Sequence, residues 1–238
     1  MEYNNRTALI TGAANGIGRA TAVMLAKRGV DSVLFDVNEE KLREVEAEVK
    51  KLGRKCLAVV CDMGDQNSID EALSKISDWK IDILVNNAAL WRDNGGLFVN
   101  TDPESWKRRW MVNVWGLMYL TKKLLPPMIE QKWGRVINVS SVAGRYGIAN
   151  MVDYSTTKGA VHSFTKALAK EPSRYTVLVT SMSPGNVGNG EMRESDLSYM
   201  GRESSYDEQA EMICFLASEN ASYCSGQDFQ VDGCRKKM

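Results

Sequence analysis

The chain has 238 residues, with 30 Lys and Arg balanced by 30 Asp and Glu for a formal charge of zero. A chain of this length buries about 70 to 75% of its unfolded surface as one domain without a disulfide or metal staple, and its neutral balance offers no footprint for a nucleic-acid partner. No apolar run approaches the roughly 18 residues of a membrane helix and residues 1–5 lack a secretion signal, so a cytoplasmic protein with no membrane partner is expected.

Residues 7–10 read as a short buried strand, and residues 17–27 have the apolar spacing of a helix packed on a sheet. Between them runs Thr11-Gly12-Ala13-Ala14-Asn15-Gly16-Ile17-Gly18, whose G-x-x-x-G-x-G spacing differs from the common G-x-G-x-x-G. Such glycines let a pyrophosphate approach closely while the free amides of the helix start supply donors and partial positive charge. Glycine turns of this kind also occur for packing alone. Residues 33–36 form a second strand ending in Asp36, 20 residues beyond Gly16, where a dinucleotide fold places the carboxylate for the adenosine ribose. Asp36 would repel a 2′-phosphate and Val37 follows it, so NAD(H) rather than NADP(H) is the expected cofactor. Arg19 is the one cation nearby, and it serves equally as a solvent-facing helix residue.

A helix over 39–52 carries Leu42, Val45, Val49 and Leu52 on one stripe, and a strand over 56–60 follows. Asp62 either faces an adenine amino group or caps the next helix, a role equally open to Asp65 and Ser68. A helix over 66–77 and a strand over 81–85 lead to Asn86-Asn87-Ala88-Ala89. This alternation predicts parallel β-α-β units and a sheet covered on both faces. Ligands of such sheets bind beyond the carboxyl ends of the strands, where Gly12, Asp36, Asp62 and Asn86 all fall.

A loop over 90–100 is closed by Thr101-Asp102-Pro103-Glu104, a capping box that opens a long helix with Trp106, Trp110, Asn113 and Trp115, interrupted at Pro126-Pro127. On spacing alone Asn113 reads as an ordinary outward-facing polar residue, with a special role as the lesser reading. The fifth strand, 134–141, ends in Ser140-Ser141. Tyr154-Ser155-Thr156-Thr157-Lys158 then opens a helix to about 170, with Tyr154 and Lys158 on one face, roughly 5.4 Å apart along the axis. A strand over 175–182, Pro184-Gly185, an irregular stretch over 186–206, a helix from about 207 and a short strand over 226–233 complete the pattern. Residues 234–238 are expected to fray.

In this order, Thr11-Gly12-x-x-x-Gly16-x-Gly18, Asp62, Asn86-Asn87-Ala88-Ala89, Asn113, Ser141, Tyr154-x-x-x-Lys158 and Pro184-Gly185 resemble the short-chain dehydrogenase/reductase family over nearly the whole chain. The resemblance implies an α/β fold, a Rossmann-type doubly wound sheet of seven mostly parallel strands with helices on both faces. It implies one NAD-binding domain over 1–238 with a short substrate loop at about 186–206, and a homotetramer or homodimer. It also implies NAD(H) contacts from Gly12, Asn15, Gly16, Ile17, Gly18, Asp36, Asp62, Met63, Asn86, Ala88, Tyr154, Lys158, Pro184, Gly185, Val187 and Asn189, and a catalytic set of Asn113, Ser141, Tyr154 and Lys158.

Moving a hydride between a secondary alcohol and NAD⁺ requires a base for the hydroxyl proton, and an acid in reverse. An ammonium about 5 Å away, at an effective dielectric of about 20, favours a phenolate by roughly 3 kcal/mol and draws a phenol from about 10 toward neutral. Tyr154 is therefore the expected acid/base. By the resemblance Lys158 also holds the nicotinamide ribose, Ser141 polarises the substrate oxygen, and Asn113 holds a water linking Lys158 to solvent; family spacing favours Ser141 over Ser140. The plain alternative is that the serines end a strand and Tyr154 packs. His162, the only histidine, reads as a helix-face residue, and five cysteines without a Cys-x-x-Cys pair read as free thiols, so no metal site is expected.

Three features depart from the family pattern: Ala89 replaces its glycine, Asn189 its nicotinamide-contacting threonine, and the 186–206 segment is short. A short lid leaves an open mouth. Leu90, Trp91, Val142, Tyr146, Ile148, Met151, Val187, Met192 and Tyr199 offer it apolar surface, while Arg92, Arg145 and Arg193 either hold an anion or face solvent. The expected substrate is a small-molecule alcohol or ketone, hydroxysteroid-like or otherwise alicyclic. A 3-oxoacyl thioester reductase comes second, with NAD(H) preference against it because reductive biosynthesis draws on NADPH. A non-catalytic cofactor sensor on the same fold is the reading of another class, against which the presence of both Tyr154 and Lys158 weighs.

Overall fold

Leu9 packs into one apolar layer while its neighbours Ala8 and Ile10 pack into another, the two-sided burial that a strand inside a parallel sheet must satisfy. Along the chain run β1 (Thr7–Thr11), α1 (Gly16–Lys27), β2 (Asp31–Asp36), α2 (Glu39–Lys51), β3 (Cys56–Val60), α3 (Gln66–Ser74), β4 (Ile83–Asn86), α4 (Pro103–Trp110), a π-helical stretch (Met111–Gly116) and α5 (Leu117–Glu130). There follow β5 (Gly134–Val139), α6 (Val142–Tyr146), α7 (Val152–Leu168), β6 (Val177–Pro184), α8 (Tyr206–Ala217) and β7 (Asp228–Val231). The structure is a computed structural model that describes residues 2–3, 5–91, 96–188 and 193–236.

Among the described residues the seven strands form one sheet in the order β3-β2-β1-β4-β5-β6-β7, every neighbouring pair parallel. Leu25, Val45 and Ile213 bring α1, α2 and α8 onto one layer of the core, and Ile69 and Leu120 bring α3 and α5 onto the other. This is the doubly wound Rossmann-type arrangement. The strand order reverses between β1 and β4, which opens a crevice beyond their carboxyl ends.

Pro126 and Pro127 lie inside α5 instead of interrupting it. Proline removes a backbone donor and normally breaks a helix, but burial of Leu120, Leu124 and Met128 holds the last turns in place. The fifth strand stops at Val139, and Ser140 and Ser141 form a turn into α6, a helix too short to show a period in sequence. Residues 234–236 do not fray, because the Tyr199 N–H donates to the Cys234 carbonyl and the Lys236 N–H to the Leu197 carbonyl, both at 3.0 Å. Among the described residues no helix is long and apolar enough to cross a membrane, and no group of three or more His, Cys, Asp or Glu side chains is placed to hold a metal.

Candidate active site

Gly12 and Gly16 adopt φ of +64° and +55°, a region that other residues enter only with strain. A Cβ on Gly12 would stand 2.8 Å from the Ala88 Cα, and one on Gly18 would collide with the Gly12 carbonyl oxygen. Asn15 caps α1 by accepting the Gly16 N–H at 2.8 Å, and Ile17 packs against the layer beneath. Asn87 stitches this turn to the end of β4: its amide donates to the Thr11 and Gly12 carbonyls at 2.9 and 3.0 Å, while the Thr11 hydroxyl accepts the Asn87 and Ala88 N–H groups. The expected contact from Asn86 is corrected at the side chain. Its amide is buried and donates to Thr121 at 3.0 Å and Asn138 at 2.8 Å, since strand alternation turns it inward and leaves only backbone at the strand end.

Two backbone amides, Ala14 at 3.0 Å and Asn38 at 2.9 Å, hold the Asp36 carboxylate at the lip of the turn. Asp65, not Asp62, caps α3. Asp62 accepts a two-pronged pair from Arg108 of α4 at 2.8 and 2.7 Å, a partner that local spacing gives no means of finding. Arg19 pairs with Glu48 at 2.6 Å as a surface residue. Met63 is buried, and its carbonyl stands where a Cβ on Gly116 would fall. On the far side Pro184 ends β6, Gly185 packs so close to Asp232 that a Cβ would stand 2.6 Å from its Cα, and Val187 bridges to Ser204. Asn189, Arg92 and Met192 lie outside the described residues. Leu90, Trp91, Tyr146 and Tyr199 are exposed, whereas Val142 is buried and does not line a mouth.

Tyr154 lies in the first turn of α7 and Lys158 one turn on, 8% and 3% exposed. The Lys158 Nζ is 5.8 Å from the centre of the Tyr154 ring and donates to the Val139 carbonyl at 2.8 Å. The two serines part here. Ser140 donates to the Lys158 carbonyl at 2.9 Å, whereas the Ser141 hydroxyl caps α6 by accepting the Ala143 N–H at 3.1 Å and lies near enough to the Tyr154 phenol to hold its proton affinity down. Asn113 is fully buried in the π-helical stretch; its Oδ1 accepts the Leu90 N–H at 2.8 Å, and its amide donates to the Leu90 carbonyl and the Thr157 hydroxyl at 3.0 and 3.1 Å. It thereby fastens the loop after β4 to α7. Such one-turn bulges gather at functional sites.

Burial dominates the electrostatics. It pushes the Tyr154 hydroxyl up to about 12, with the Ser141 hydrogen bond and the charge of Arg109 acting to lower it. It also brings the Lys158 ammonium down to about 8. Against the expectation that this ammonium draws the phenol toward neutral, in the protein by itself burial sets the direction of both shifts. Arg109, 5% exposed on α4, forms an ion pair with Asp153, the residue before Tyr154. Its place four residues before Asn113, one helical turn, is the signal that could have found it. His162 is not a plain helix-face residue, since its Nε2 lies 3.0 Å from the Ser183 hydroxyl and 3.4 Å from Asp228, a carboxylate that Arg145 approaches to 3.8 Å.

Residues 6–199 match the family model described as short chain dehydrogenase. The chain is 35% identical to a 3-oxoacyl-[acyl-carrier-protein] reductase of Thermotoga maritima, over 98% of both chains. Among solved structures it is similar to a 3-oxoacyl-[acyl-carrier protein] reductase with bound NAD from Brucella melitensis, at 30% identity and a TM-score of 0.91 over 97% of this chain and 91% of that one. It is also similar to an NAD⁺-bound xylitol dehydrogenase, at 28% identity and a TM-score of 0.90 over 98% of this chain and all of that one. A glycine turn at the switch point of a doubly wound sheet, a buried Tyr-Lys pair with Ser141 near it and these likenesses meet in one conclusion: the chain is an oxidoreductase acting on CH–OH and keto groups and belongs to the short-chain dehydrogenase/reductase family.

Proposed function

We propose that the chain reduces 3-oxoacyl thioesters to 3-hydroxyacyl thioesters with NADH, as a cytoplasmic homotetramer or homodimer. Likeness to two 3-oxoacyl reductases supports this substrate over the hydroxysteroid-like one, which has no support among the relatives named. The observation that carries the chemistry is buried Tyr154 one helical turn from buried Lys158, whose Nζ stands 5.8 Å from the centre of the tyrosine ring. An apolar groove between α5 and α7, lined by Met118, Leu125, Ile129, Phe164 and Leu168, supports self-association. The reading takes 1–238 as one catalytic domain, with 186–206 as its substrate loop.

The crevice suits a dinucleotide by its own shape. Gly12 and Gly18 let the turn close backbone on backbone against itself and the end of β4, Gly16 takes a positive φ at the start of α1, and a clamped carboxylate stands beside them. Gly12, Asn15, Gly16, Ile17 and Gly18 would hold the diphosphate at the start of α1, where amides and the helix dipole favour anions. Asp36 would hold the adenosine ribose and repel a 2′-phosphate. Asp62, Met63, Ala88 and the Asn86 backbone would flank the adenosine half; Pro184, Gly185, Val187 and Asn189 would flank the nicotinamide half, with Lys158 and Tyr154 at its ribose. When bound, NAD(H) supplies or accepts the hydride.

Ser141 holds the substrate oxygen, and the Tyr154 hydroxyl gives that oxygen its proton during reduction, or removes it during oxidation. A phenol held up to about 12 is a proton donor at rest, which suits the reductive direction. Lys158 restores the proton, and Asn113 keeps the loop after β4 against α7 while this happens.

Purified protein is expected to oxidise NADH when given an acetoacetyl thioester, with NADPH at least about tenfold poorer because one unit of charge repulsion at the ribose is worth more than 1.4 kcal/mol. Preference for NADPH would overturn the role of Asp36, and turnover of alicyclic ketones without thioester turnover would overturn the substrate. Gly144 packs on the Lys158 backbone so closely that a Cβ would collide with it. Gly144→Ala should therefore prise α6 from α7, shift Ser141 from Tyr154 and lower kcat roughly a hundredfold while circular dichroism stays unchanged.

A further inference from the structure

We propose that the buried Arg109–Asp153 ion pair, which joins α4 to the first turn of α7, is a positioning and charge-setting element for Tyr154. The inference rests on the acid/base reading of Tyr154 given above. Arg109 is 5% exposed and the Asp153 side chain 18%, so the pair sits largely out of water. Removing two charges from water costs about as much as their attraction returns, and apolar packing of the same volume is usually at least as stable. Stability is thus a poor reason for a guanidinium here; placement is a better one. Asp153 immediately precedes Tyr154, and Arg109 stands four residues before Asn113, whose amide reaches Thr157 on the same α7 turn as Lys158. The ion pair and the Asn113–Thr157 hydrogen bond are two clamps between the same helices, one on each side of the phenol along α7.

The groups acting on the phenol are Ser141 from the turn after β5, Lys158 from α7 and Arg109 from α4, while Asp153, next to Tyr154 in the chain, is paired with Arg109. Burial strips the Lys158 ammonium of its proton at about pH 8. A guanidinium keeps its charge throughout. Arg109 is therefore the permanent cation beside Tyr154, and its field favours the phenolate formed when the proton leaves. Asp153 holds the guanidinium in place and offsets part of that field.

The two charges should therefore act with opposite sign. The test follows kcat against pH for oxidation of a 3-hydroxyacyl thioester, whose acid limb reports loss of the phenolate in the complex with oxidised cofactor and substrate. Arg109→Met leaves an uncompensated carboxylate and should move the limb upward by about one pH unit, a tenfold loss on the acid side. Asp153→Asn should move it downward, and Arg109→Lys should keep it in place. If Arg109→Met does not fold, the Arg109→Met/Asp153→Asn double variant, with neither charge, should place the limb above that of Asp153→Asn. Limbs unmoved in folded variants, or moved in one direction by both single changes, overturn the proposal. A Tyr154→Phe enzyme that keeps its activity and limb would instead overturn the acid/base reading, so the two failures are distinct.

Discussion

Tyr154→Phe is expected to lower kcat by about 10³-fold, within the span attributed to a positioned proton donor, while leaving NADH affinity close to that of the parent. The ring is 8% exposed and packs as a ring whether or not it carries oxygen, so the exchange preserves shape. It removes the one hydroxyl that Ser141 and the substrate oxygen would share. Loss of a single hydrogen bond costs about 1 kcal/mol, which lowers Tm by a few degrees and leaves the protein folded at assay temperature. Fluorescence titration with NADH and steady-state turnover of an acetoacetyl thioester separate the two effects. A variant that turns over within about tenfold of the parent would remove Tyr154 from the proton path.

The layers of the fold were legible because strands and helices follow local periods and their alternation calls for parallel β-α-β units, while the doubly wound order came from the family resemblance. The glycine turn and Asp36 were legible for the same reason, since both are tied to strand ends. What local pattern could not carry was pairing at distance. Arg108 takes up the Asp62 carboxylate from 46 residues away, and nothing near either residue announces it. Asn87 rather than Asn86 braces the glycine turn because pleating decides which of two equal side chains faces inward. Pro126 and Pro127 continue a helix because the layer beneath rewards it. The Tyr154–Lys158 spacing was plain, yet the protonation of both followed from burial, which belongs to every neighbour at once.

Lys158→Met should lose at least about a hundredfold in kcat, by removing the group that restores the Tyr154 proton, and yet be the more stable protein at neutral pH. The ammonium ionises at about 8 in the folded chain against 10.5 when exposed, so folding disfavours its charged form. Below pH 8 both states carry the proton and the native state bears the whole penalty, roughly 3 kcal/mol. Between about 8 and 10.5 the unfolded chain binds more proton than the folded one, so parent stability rises with pH relative to the variant; above 10.5 both are neutral and the penalty is gone. Methionine keeps the apolar stem but leaves the Val139 carbonyl without its donor, worth about 1 to 2 kcal/mol. Urea unfolding should thus find Lys158→Met about 1 to 2 kcal/mol more stable than the parent at pH 7, and less stable near pH 10.5. A difference that does not change with pH would mean that Lys158 is solvated in the native protein. The crossing of the two stability curves would locate, in the lysine itself, the strain a buried proton relay imposes on its fold.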